Sequence, residues 1–420
     1  MLLSFRMRNF RSFADEAVLS MRPVKAYGGH EDNLIKRDGF SVLKVAAIYG
    51  PNASGKSNVI KGIGTMRRLL LQSARRNSVD KLDVEPFELN AETRTEPTLF
   101  EVSLLLSGKS YRYGFVATTE AIVAEWLGVS LGGSRSVERM LFIREGSQLK
   151  ERQLRYLPEL EHFELSTLLP NTLLLSRLDQ LNCSIAKMVM KWFSNLSVLS
   201  GSNSERYGGY SSAHFNEPDF HSRMMEFVRF ADSSIEDVSI KSNALTWDEL
   251  PLAVRDRFQT SRERFRAVGT EVLVTRSDRQ GNAIPFDMEE KESEGTAKMF
   301  ALSGPLTDIL NKGRVLVIDE MEAKLHPLLT RKIVRVFNSP GMNPFDAQLL
   351  FVTHDATLLK LGNLRRDQIW FCEKNDFCES TLYCLAEIRS TAKARREDNL
   401  EKKYLEGRFG AIPRFNREDA

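Results

Sequence analysis

Gly50-Pro51-Asn52-Ala53-Ser54-Gly55-Lys56-Ser57 is the stretch that decides the fold of this 420-residue chain. It matches the pattern G-x-x-x-x-G-K-[S/T] in full. The segment before it, 43–49, is apolar and β-branched, which predicts a buried strand, and residues 58–71 carry apolar side chains at helical spacing. A strand, a glycine-rich loop and a helix in this order form the context in which the pattern builds a phosphate-binding loop, or P-loop.

Each part of this loop has a predicted role in holding a nucleotide. Successive backbone N–H groups and the N-terminus of the following helix form an anion cradle. Lys56 is expected to reach the β- and γ-phosphates, and the Ser57 hydroxyl is expected to bind Mg²⁺. We therefore predict ATP and Mg²⁺ as cofactors, and we count Asn58, the residue after the loop, among the nucleotide-binding residues.

Composition limits the class of protein. Hydrophobic residues make up 42% and charged residues 27% of the chain, as in ordinary globular proteins, and the formal net charge is only +3. No apolar stretch is long enough to span a membrane, so we expect no membrane segment. The cysteines are too few for a disulfide framework, which predicts reduced thiols and a cytoplasmic protein. They are Cys183, Cys372, Cys378 and Cys384.

The pattern of apolar residues divides the chain into three predicted domains. Residues 1–148 read as an N-terminal ATPase lobe, with two opening strands, the P-loop unit and an antiparallel subsheet. Residues 149–268 read as a helical insertion lobe, and residues 269–420 read as a C-terminal ATPase lobe. Finer expectations are a loop over 23–41, helical spacing over 184–199, and a hairpin turn at Ser107-Gly108-Lys109.

Asp319 and Glu320 directly follow a second apolar segment, 314–318. A strand ending in two carboxylates, downstream of a P-loop, is typical of a Walker B segment, because phosphoryl transfer must position both a metal ion and a nucleophile. We expect Asp319 to hold Mg²⁺ opposite Ser57 and Glu320 to activate the attacking water. His354 ends the next apolar strand, where its imidazole is expected to reach the γ-phosphate or that water.

Ser293-Glu294-Gly295-Thr296 opens the helix before the Walker B strand. Ser293 can cap this helix, and Gly295 allows a phosphate to approach the backbone. One interpretation is an ordinary helix cap. The other is that Ser293, Gly295 and Thr296 press on the γ-phosphate of a nucleotide held by another subunit.

The order of P-loop, Ser-x-Gly helix start, Asp-Glu and strand-end histidine resembles that of ABC-type ATPase heads. Arg8-Asn9-Phe10-Arg11-Ser12-Phe13 looks like the opening strand of the SMC/RecF-like branch. The resemblance implies that Arg8, Asn9 and Arg11 lie near the adenine and the phosphates. Two features depart from the pattern. The signature reads Ser-Glu-Gly-Thr, and no glutamine can be assigned to a Q-loop.

More closely, the chain is similar to bacterial abortive-infection ATPases of the OLD/RloA (AbiLi) kind. The matching stretches are spread over almost the whole chain: 50–57, 111–115, 293–296, 319–327, 353–355 and 404–413. The resemblance implies an α/β P-loop NTPase with ABC ATPase-head architecture, comprising a mixed central sheet, an antiparallel β subdomain and a helical insertion lobe. It also implies a head dimer, or a higher oligomer, in which each P-loop and the opposite 293–296 segment enclose an ATP.

For function, the resemblance implies an ATPase that acts as a dimerising switch in antiphage defence. Only 66 residues (420 minus 354) follow His354, so we expect no nuclease domain and a separately encoded effector, such as a nuclease or a toxin. The alternative is a RecF-like DNA-binding ATPase in repair or recombination. Arginines motivate it, although a solvated helix face is the favoured interpretation of the longer run in 251–267. They are Arg75, Arg76, Arg255, Arg257, Arg262, Arg264 and Arg266.

Overall fold

A computed structural model of the chain describes residues 1–25, 29–130, 137–245, 267–360, 364–388 and 399–413, with backbone only for 205, 242–245 and 267–269. The strands are β1 (Leu2–Arg8), β2 (Ala17–Ser20), β3 (Leu34–Arg37), β4 (Phe40–Leu43), β5 (Val45–Tyr49), β6 (Thr98–Leu106), β7 (Lys109–Ala117), β8 (Ile122–Ser130), β9 (Glu138–Glu145), β10 (Gln148–Arg152), β11 (Ser197–Ser200), β12 (Asp237–Leu245), β13 (Ala267–Ser277), β14 (Ala283–Asp287), β15 (Val315–Asp319), β16 (Gln348–Val352), β17 (Ile369–Lys374) and β18 (Ser380–Cys384). The helices are α1 (Lys56–Gln72), α2 (Leu174–Gln180), α3 (Ser184–Asn195), α4 (Gly208–His214), α5 (Pro218–Ala231), α6 (Met288–Lys291), α7 (Glu294–Lys312), α8 (Pro327–Asn338) and α9 (Leu400–Leu405).

The chain folds into two compact units. The first consists of Met1–Gly201, Lys312–Glu322 and Ile333–Ala420, and the second of Ser202–Asn311 and Ala323–Lys332. The three-domain division made from the sequence, 1–148, 149–268 and 269–420, stays a prediction. None of the helices in the described ranges is long and apolar enough to cross a membrane.

A mainly parallel sheet forms the centre of the first unit, with strand order β11-β15-β16-β5-β17-β18. Only β18 runs antiparallel to its neighbour. All five residues of β5 and of β16 are buried, which explains why these strands read as continuous apolar runs. The P-loop follows β5 and leads into α1, so the predicted strand–loop–helix unit is confirmed.

An antiparallel sheet with strand order β10-β9-β8-β7-β6-β1-β2 lies in the same unit. The turn between β6 and β7 has φ of +48° at Ser107 and +72° at Gly108. Two successive positive φ angles match the twist of the flanking strands, which is why a two-residue turn works here. This sheet is the antiparallel β subdomain that the sequence predicts, and with the central sheet it confirms the predicted fold class.

Side chains from both sheets and from α1 form one hydrophobic core. At Gly62 of α1 an added Cβ would lie 2.8 Å from Met7 Sδ, so helix and strand approach closely there. The buried Gln348 amide also joins the sheets. Its oxygen accepts from Leu2 N at 2.6 Å, and its nitrogen donates to the carbonyls of Leu2 and Leu43 at 3.1 and 3.0 Å.

A buried charge network fixes α2 to the antiparallel sheet. The Glu125 carboxylate, on β8, accepts from the N–H groups of Leu174 and Leu175 at 2.6 and 2.9 Å, and from the Tyr113 hydroxyl at 3.0 Å. Arg144 Nη1 lies 3.5 Å from it, and both side chains of this ion pair are almost fully buried. Glu125 therefore caps the start of α2 and balances a buried guanidinium at the same time.

The second unit combines helices with a three-stranded sheet of order β12-β13-β14. Phe215, Met224, Val274 and Phe300 are among the residues of its own core. Helix α7 contains Pro305, which has no N–H to donate to the Ala301 carbonyl. The Ser211 hydroxyl donates to that carbonyl at 2.8 Å instead, so the hydrogen bond that proline removes is replaced.

Two local expectations are wrong. The segment 23–41 was expected to be a loop, but it contains the short strand β3 and the start of β4, which pair with each other. Helical spacing was expected to continue to residue 199, but α3 ends at Asn195 and Ser197–Ser200 is β11, paired with β15. Apolar residues in a four-residue run fit a helix and a strand equally well, and a distant partner strand decides between them.

Replacing Glu125 with alanine is expected to destabilise the first unit by about 3–5 kcal/mol, because Arg144 would stay buried without its carboxylate. Urea denaturation measures this change. Glu145→Ala is the matched control, since Glu145 is 61% exposed and its ion pair with Lys150 spans 3.8 Å. We expect a change of less than about 1 kcal/mol there, and similar losses for both variants would contradict this account.

Candidate functional site

The P-loop runs between the end of β5 and the start of α1, in contact with β17. Gly50 has a φ of +153°, and a Cβ there would lie 2.2 Å from the Cys372 carbonyl oxygen. Gly55 has a φ of +105°, and a Cβ there would lie 2.3 Å from Ser380 Oγ and 2.7 Å from Ser12 Oγ. Glycine is therefore required at both positions by backbone angle and by space.

Lys56 opens α1, and its ammonium group lies back over the loop. Nζ donates to the carbonyls of Gly50 and Pro51 at 2.8 and 2.7 Å, and the side chain is almost completely buried. Burial lowers the pKa of Lys56 from its usual range, while nearby acidic groups act in the opposite direction. The ammonium is thus held against the first two carbonyls of the loop, and its contact with phosphate oxygens stays a prediction.

Ser57 and Asp319 are brought together by the fold. Ser57 Oγ donates to Asp319 Oδ1 at 3.1 Å, although the residues are 262 positions apart in the sequence. Burial raises the pKa of Asp319, and the Ser57 hydrogen bond opposes that rise. The Ser57 hydroxyl and the Asp319 carboxylate, side by side, are hard oxygen ligands of the kind that Mg²⁺ takes. Phosphates and waters usually complete its coordination shell. The residues present therefore fit a magnesium ion.

Glu320 adopts a left-handed backbone conformation, with φ of +50°, directly after β15. Gly201 holds this corner. Its N–H donates to the Asp319 carbonyl at 2.7 Å, and an added Cβ would lie 2.1 Å from the Glu320 carbonyl oxygen. A positive φ at a non-glycine residue is strained and persists only where the surroundings enforce it. Gly201 supplies one such constraint.

His354 lies just beyond the end of β16, as predicted, and its side chain is exposed. Its backbone N–H donates to Glu322 Oε1 at 2.6 Å, which connects the strand-end histidine to the segment after Glu320. Partial loss of water around the ring, followed by the Lys56 charge, lowers the pKa of His354 although the residue as a whole is exposed. A neutral imidazole can both accept and donate a hydrogen bond, which suits contact with a phosphate or a water.

The turn between β1 and β2 meets the P-loop through Ser12. Its hydroxyl accepts from Asn58 Nδ2 at 2.8 Å and lies 2.7 Å from Ser380 Oγ. Arg11, one residue before it, has a φ of +52° and forms an ion pair with Glu85. Arg8 is exposed. Arg11 is therefore next in sequence to Ser12, which contacts the residue after the P-loop, Asn58. Contact of Arg8 or Arg11 with a nucleotide stays a prediction.

Asn9 is fully buried and satisfied by backbone groups. Its Nδ2 donates to the carbonyls of Thr93 and Glu96 at 2.7 and 2.8 Å, and its Oδ1 accepts from Phe87 N at 2.9 Å. Both amide hydrogens are used in these bonds. We infer that Asn9 acts by fixing the loop that carries Arg8 and Arg11, and its direct contact with a nucleotide stays a prediction.

The segment 293–296 belongs to the second unit. The Ser293 hydroxyl accepts from Thr296 N at 3.1 Å and lies 2.9 Å from Thr296 Oγ1, so it caps the start of α7 as predicted. Ser293 is exposed, whereas Thr296 is buried. A Cβ at Gly295 would lie 3.2 Å from the Lys324 carbonyl oxygen, in the same unit. Contact of this segment with a nucleotide stays a prediction.

Sequence reasoning did not identify Gly201, Ser12 or Ser380 as parts of the site. Gly201 left a usable signal, because a glycine at the end of a strand often marks close approach of another backbone. The helical spacing over 184–199 hides that signal, because it predicts a helix where β11 lies. Ser12 and Ser380 are 368 residues apart, and no local pattern could have joined them.

The arginines that motivate DNA binding are mostly outside the described residues, namely Arg255, Arg257, Arg262, Arg264 and Arg266. Of the two that the structure describes, Arg75 is exposed, and Arg76 donates from Nη1 to the Lys81 carbonyl at 3.0 Å.

A P-loop after a central parallel strand, a carboxylate paired with its serine, and an adjoining antiparallel sheet define a P-loop ATPase of the ABC/SMC-like type. The family model described as "AAA domain, putative AbiEii toxin, Type IV TA system" matches residues 45–164 and 183–360. This match covers more than half of the chain, and the chain belongs to that family. No curated protein matches the sequence.

Solved SMC heads are similar in fold. The SMC head domain from Thermotoga maritima is 11% identical, with a TM-score of 0.42, over 91% of this chain and 98% of that chain. An SMC head bound to the C-winged helix domain of ScpA is 12% identical, with a TM-score of 0.42, over 91% and 97%. An SMC head with an extended coiled coil, bound to the C-terminal domain of ScpA from Pyrococcus furiosus, is 12% identical, with a TM-score of 0.36, over 97% and 99%. The fold assignment rests on strand order and loop geometry, not on these similarities.

Replacing Gly201 with alanine is expected to displace the corner at Glu320, because the new Cβ would meet backbone that no rotamer change can move. We expect a loss of stability of about 1–3 kcal/mol, the usual range for overpacking, measured by urea denaturation. Gly208→Ala is the control, since a Cβ at Gly208 meets nothing within 4 Å. Equal stability of the two variants would show that the corner tolerates a side chain.

Proposed function

We propose that this protein binds and hydrolyses ATP, and that it works as a dimerising switch in antiphage defence of the abortive-infection kind, in the cytoplasm. The observation that carries the ATPase part is the 3.1 Å hydrogen bond from Ser57 Oγ to Asp319 Oδ1. It brings two oxygen ligands of the kind that Mg²⁺ takes to the end of a loop built to hold phosphates.

The residues around the Ser57–Asp319 pair would each have a separate role in binding and hydrolysing ATP. The loop N–H groups and Lys56 would bind the β- and γ-phosphates, and Ser57 and Asp319 would hold Mg²⁺, which neutralises phosphate charge when bound. Glu320 would accept a proton from the attacking water. His354 would orient the γ-phosphate or that water, acting as a neutral imidazole because burial lowers its pKa.

Dimerisation is proposed from the segment 293–296. The start of α7 offers backbone N–H groups and an exposed serine, the kind of helix N-terminus that binds phosphate. The resemblance to ABC-type heads supports a partner's nucleotide as the ligand. In a two-fold dimer each copy would give and receive this contact, so both sites would form together.

The cellular role is proposed from the family. Its description names a toxin and a toxin–antitoxin system, which supports a role in defence and a partner protein. The resemblance to OLD/RloA (AbiLi) ATPases points to the same role. We propose that ATP binding and hydrolysis change the dimer and thereby control an effector on another chain, such as a nuclease or a toxin.

Glu320→Gln is expected to retain ATP binding and lower hydrolysis by at least about 100-fold, because glutamine cannot accept the proton from water. Phosphate release measures hydrolysis, and size-exclusion chromatography with ATP is expected to show an accumulated dimer. Glu120→Gln is the matched control, an exposed glutamate in the turn before β8 that we expect to leave both unchanged. Turnover by Glu320→Gln at the wild-type rate would remove Glu320 from the mechanism.

Two inactive variants are expected to restore activity when mixed. Lys56→Ala removes a phosphate ligand. Ser293→Asp keeps a good helix cap but adds a carboxylate that repels the partner's γ-phosphate. In a two-fold dimer with random assortment, the mixture regains roughly a quarter of wild-type hydrolysis, because half of the dimers contain one intact composite site. A mixture as inactive as its components would show that sites do not form between subunits.

A further inference from the structure

The hairpin of β17 and β18 is fixed directly to the P-loop. Residues Ile369 to Phe371 of β17 pair in parallel with β5. Cys372, the residue after them, donates from Sγ to the Ser54 carbonyl at 3.1 Å. Ser380, which begins β18, donates from Oγ to the same carbonyl at 2.6 Å and from its backbone N–H to the Ser12 carbonyl at 2.6 Å. Both strands of the hairpin therefore contact the loop, and the contacts of Cys372 and Ser380 fix the position of the hairpin relative to it.

Strand order shows which side of the P-loop the hairpin occupies. The strands that lead to Asp319 and His354, β15 and β16, lie on one side of β5, and β17 and β18 lie on the other. The proposed ATP site places the γ-phosphate on the side of β5 where Asp319 and His354 lie. A nucleoside triphosphate runs from the γ-phosphate to the base in one direction, so its ribose and base leave the loop on the side of the hairpin.

The tip of this hairpin is an ordered turn that presents an aromatic ring. Asn375 Oδ1 accepts from Phe377 N at 3.0 Å and from Glu379 N at 2.9 Å, and Asn375 Nδ2 donates to Glu379 Oε2 at 2.7 Å. Phe377 is 76% exposed. Phe377 is three residues from Ser380, so its Cα lies within about 11 Å of the Ser380 Cα.

We propose that Phe377 is a base-binding residue that stacks on the purine of the bound nucleotide. This inference rests on the proposed ATP site and extends it to the base. A phenylalanine ring offers a face and no hydrogen-bonding group, so it adds affinity for a base without choosing among bases. The Arg11–Ser12 segment contacts the same hairpin through Ser380.

The test compares ATP with inorganic tripolyphosphate, which has the phosphates and lacks the base. For Phe377→Ala we expect the affinity for ATP, measured by calorimetry, to fall about tenfold or more, as is usual when a stacked aromatic ring is removed. The affinity for tripolyphosphate stays unchanged. Phe377→Trp keeps the affinity for ATP, and the fluorescence of the added tryptophan is quenched by ATP but not by tripolyphosphate.

Phe345→Ala is the matched control. Phe345 is also exposed, at 58%. It lies just before β16, at the end of the sheet where the parallel strands begin, whereas the P-loop lies where β5 ends. We expect this variant to bind ATP like the wild type. If Phe377→Ala binds ATP as tightly as Phe345→Ala does, or changes only the dimer on a sizing column, Phe377 is a surface or interface residue and the proposal is overturned.

The wild type and Lys56→Ala separate this failure from failure of the ATPase assignment. ATP binding by the wild type that is lost in Lys56→Ala supports the ATP site, whatever Phe377→Ala does. A wild type that binds neither ATP nor tripolyphosphate would overturn both proposals.

Discussion

The close packing of three distant chain segments at the P-loop is the constraint on which the structure depends. Gly50 touches the Cys372 carbonyl, and Gly55 touches the hydroxyls of Ser12 and Ser380, with no room for a Cβ at either glycine. The loop therefore has its shape only when the N-terminal strand, the core and the C-terminal hairpin are all in place. Parts of the chain more than 350 residues apart form one anion cradle, and the other functional groups are arranged around it.

Burial explains the electrostatics around this cradle. It lowers the pKa values of Lys56 and His354 and raises that of Asp319, and in each case it is the largest cause. Each shift disfavours the charged form, because these groups have lost part of their water. A polyphosphate and a divalent cation carry the charges that would reverse such shifts at Lys56 and Asp319. The site is thus built from groups whose charged forms gain most when the proposed ligands bind.

The sequence predicted the parts of the fold that local patterns determine. The unit β5–P-loop–α1, the hairpins of the antiparallel sheet and the strand that carries Asp319 all follow from apolar periodicity and turn residues. β11 could not be predicted, because Ser197–Ser200 becomes a strand by pairing with β15, more than 100 residues away. The motif implies that Asn9 lies near the nucleotide, which stays a prediction. It could not show that the buried Asn9 amide bonds to the carbonyls of Thr93 and Glu96, because only the folded chain brings them near.

The family match divides the proposed site into two halves. Residues 45–164 and 183–360 include the P-loop, Asp319, Glu320 and His354, which we propose face the phosphates and the metal. Ser12, Arg11 and the hairpin with Phe377, on the proposed base side, lie outside it. Phosphate chemistry needs fixed donors at fixed distances, whereas a base can be held by any suitably placed ring. The phosphate half is therefore the part that a motif can reveal, and the base half has to be found from the strand order and the contacts of the folded chain.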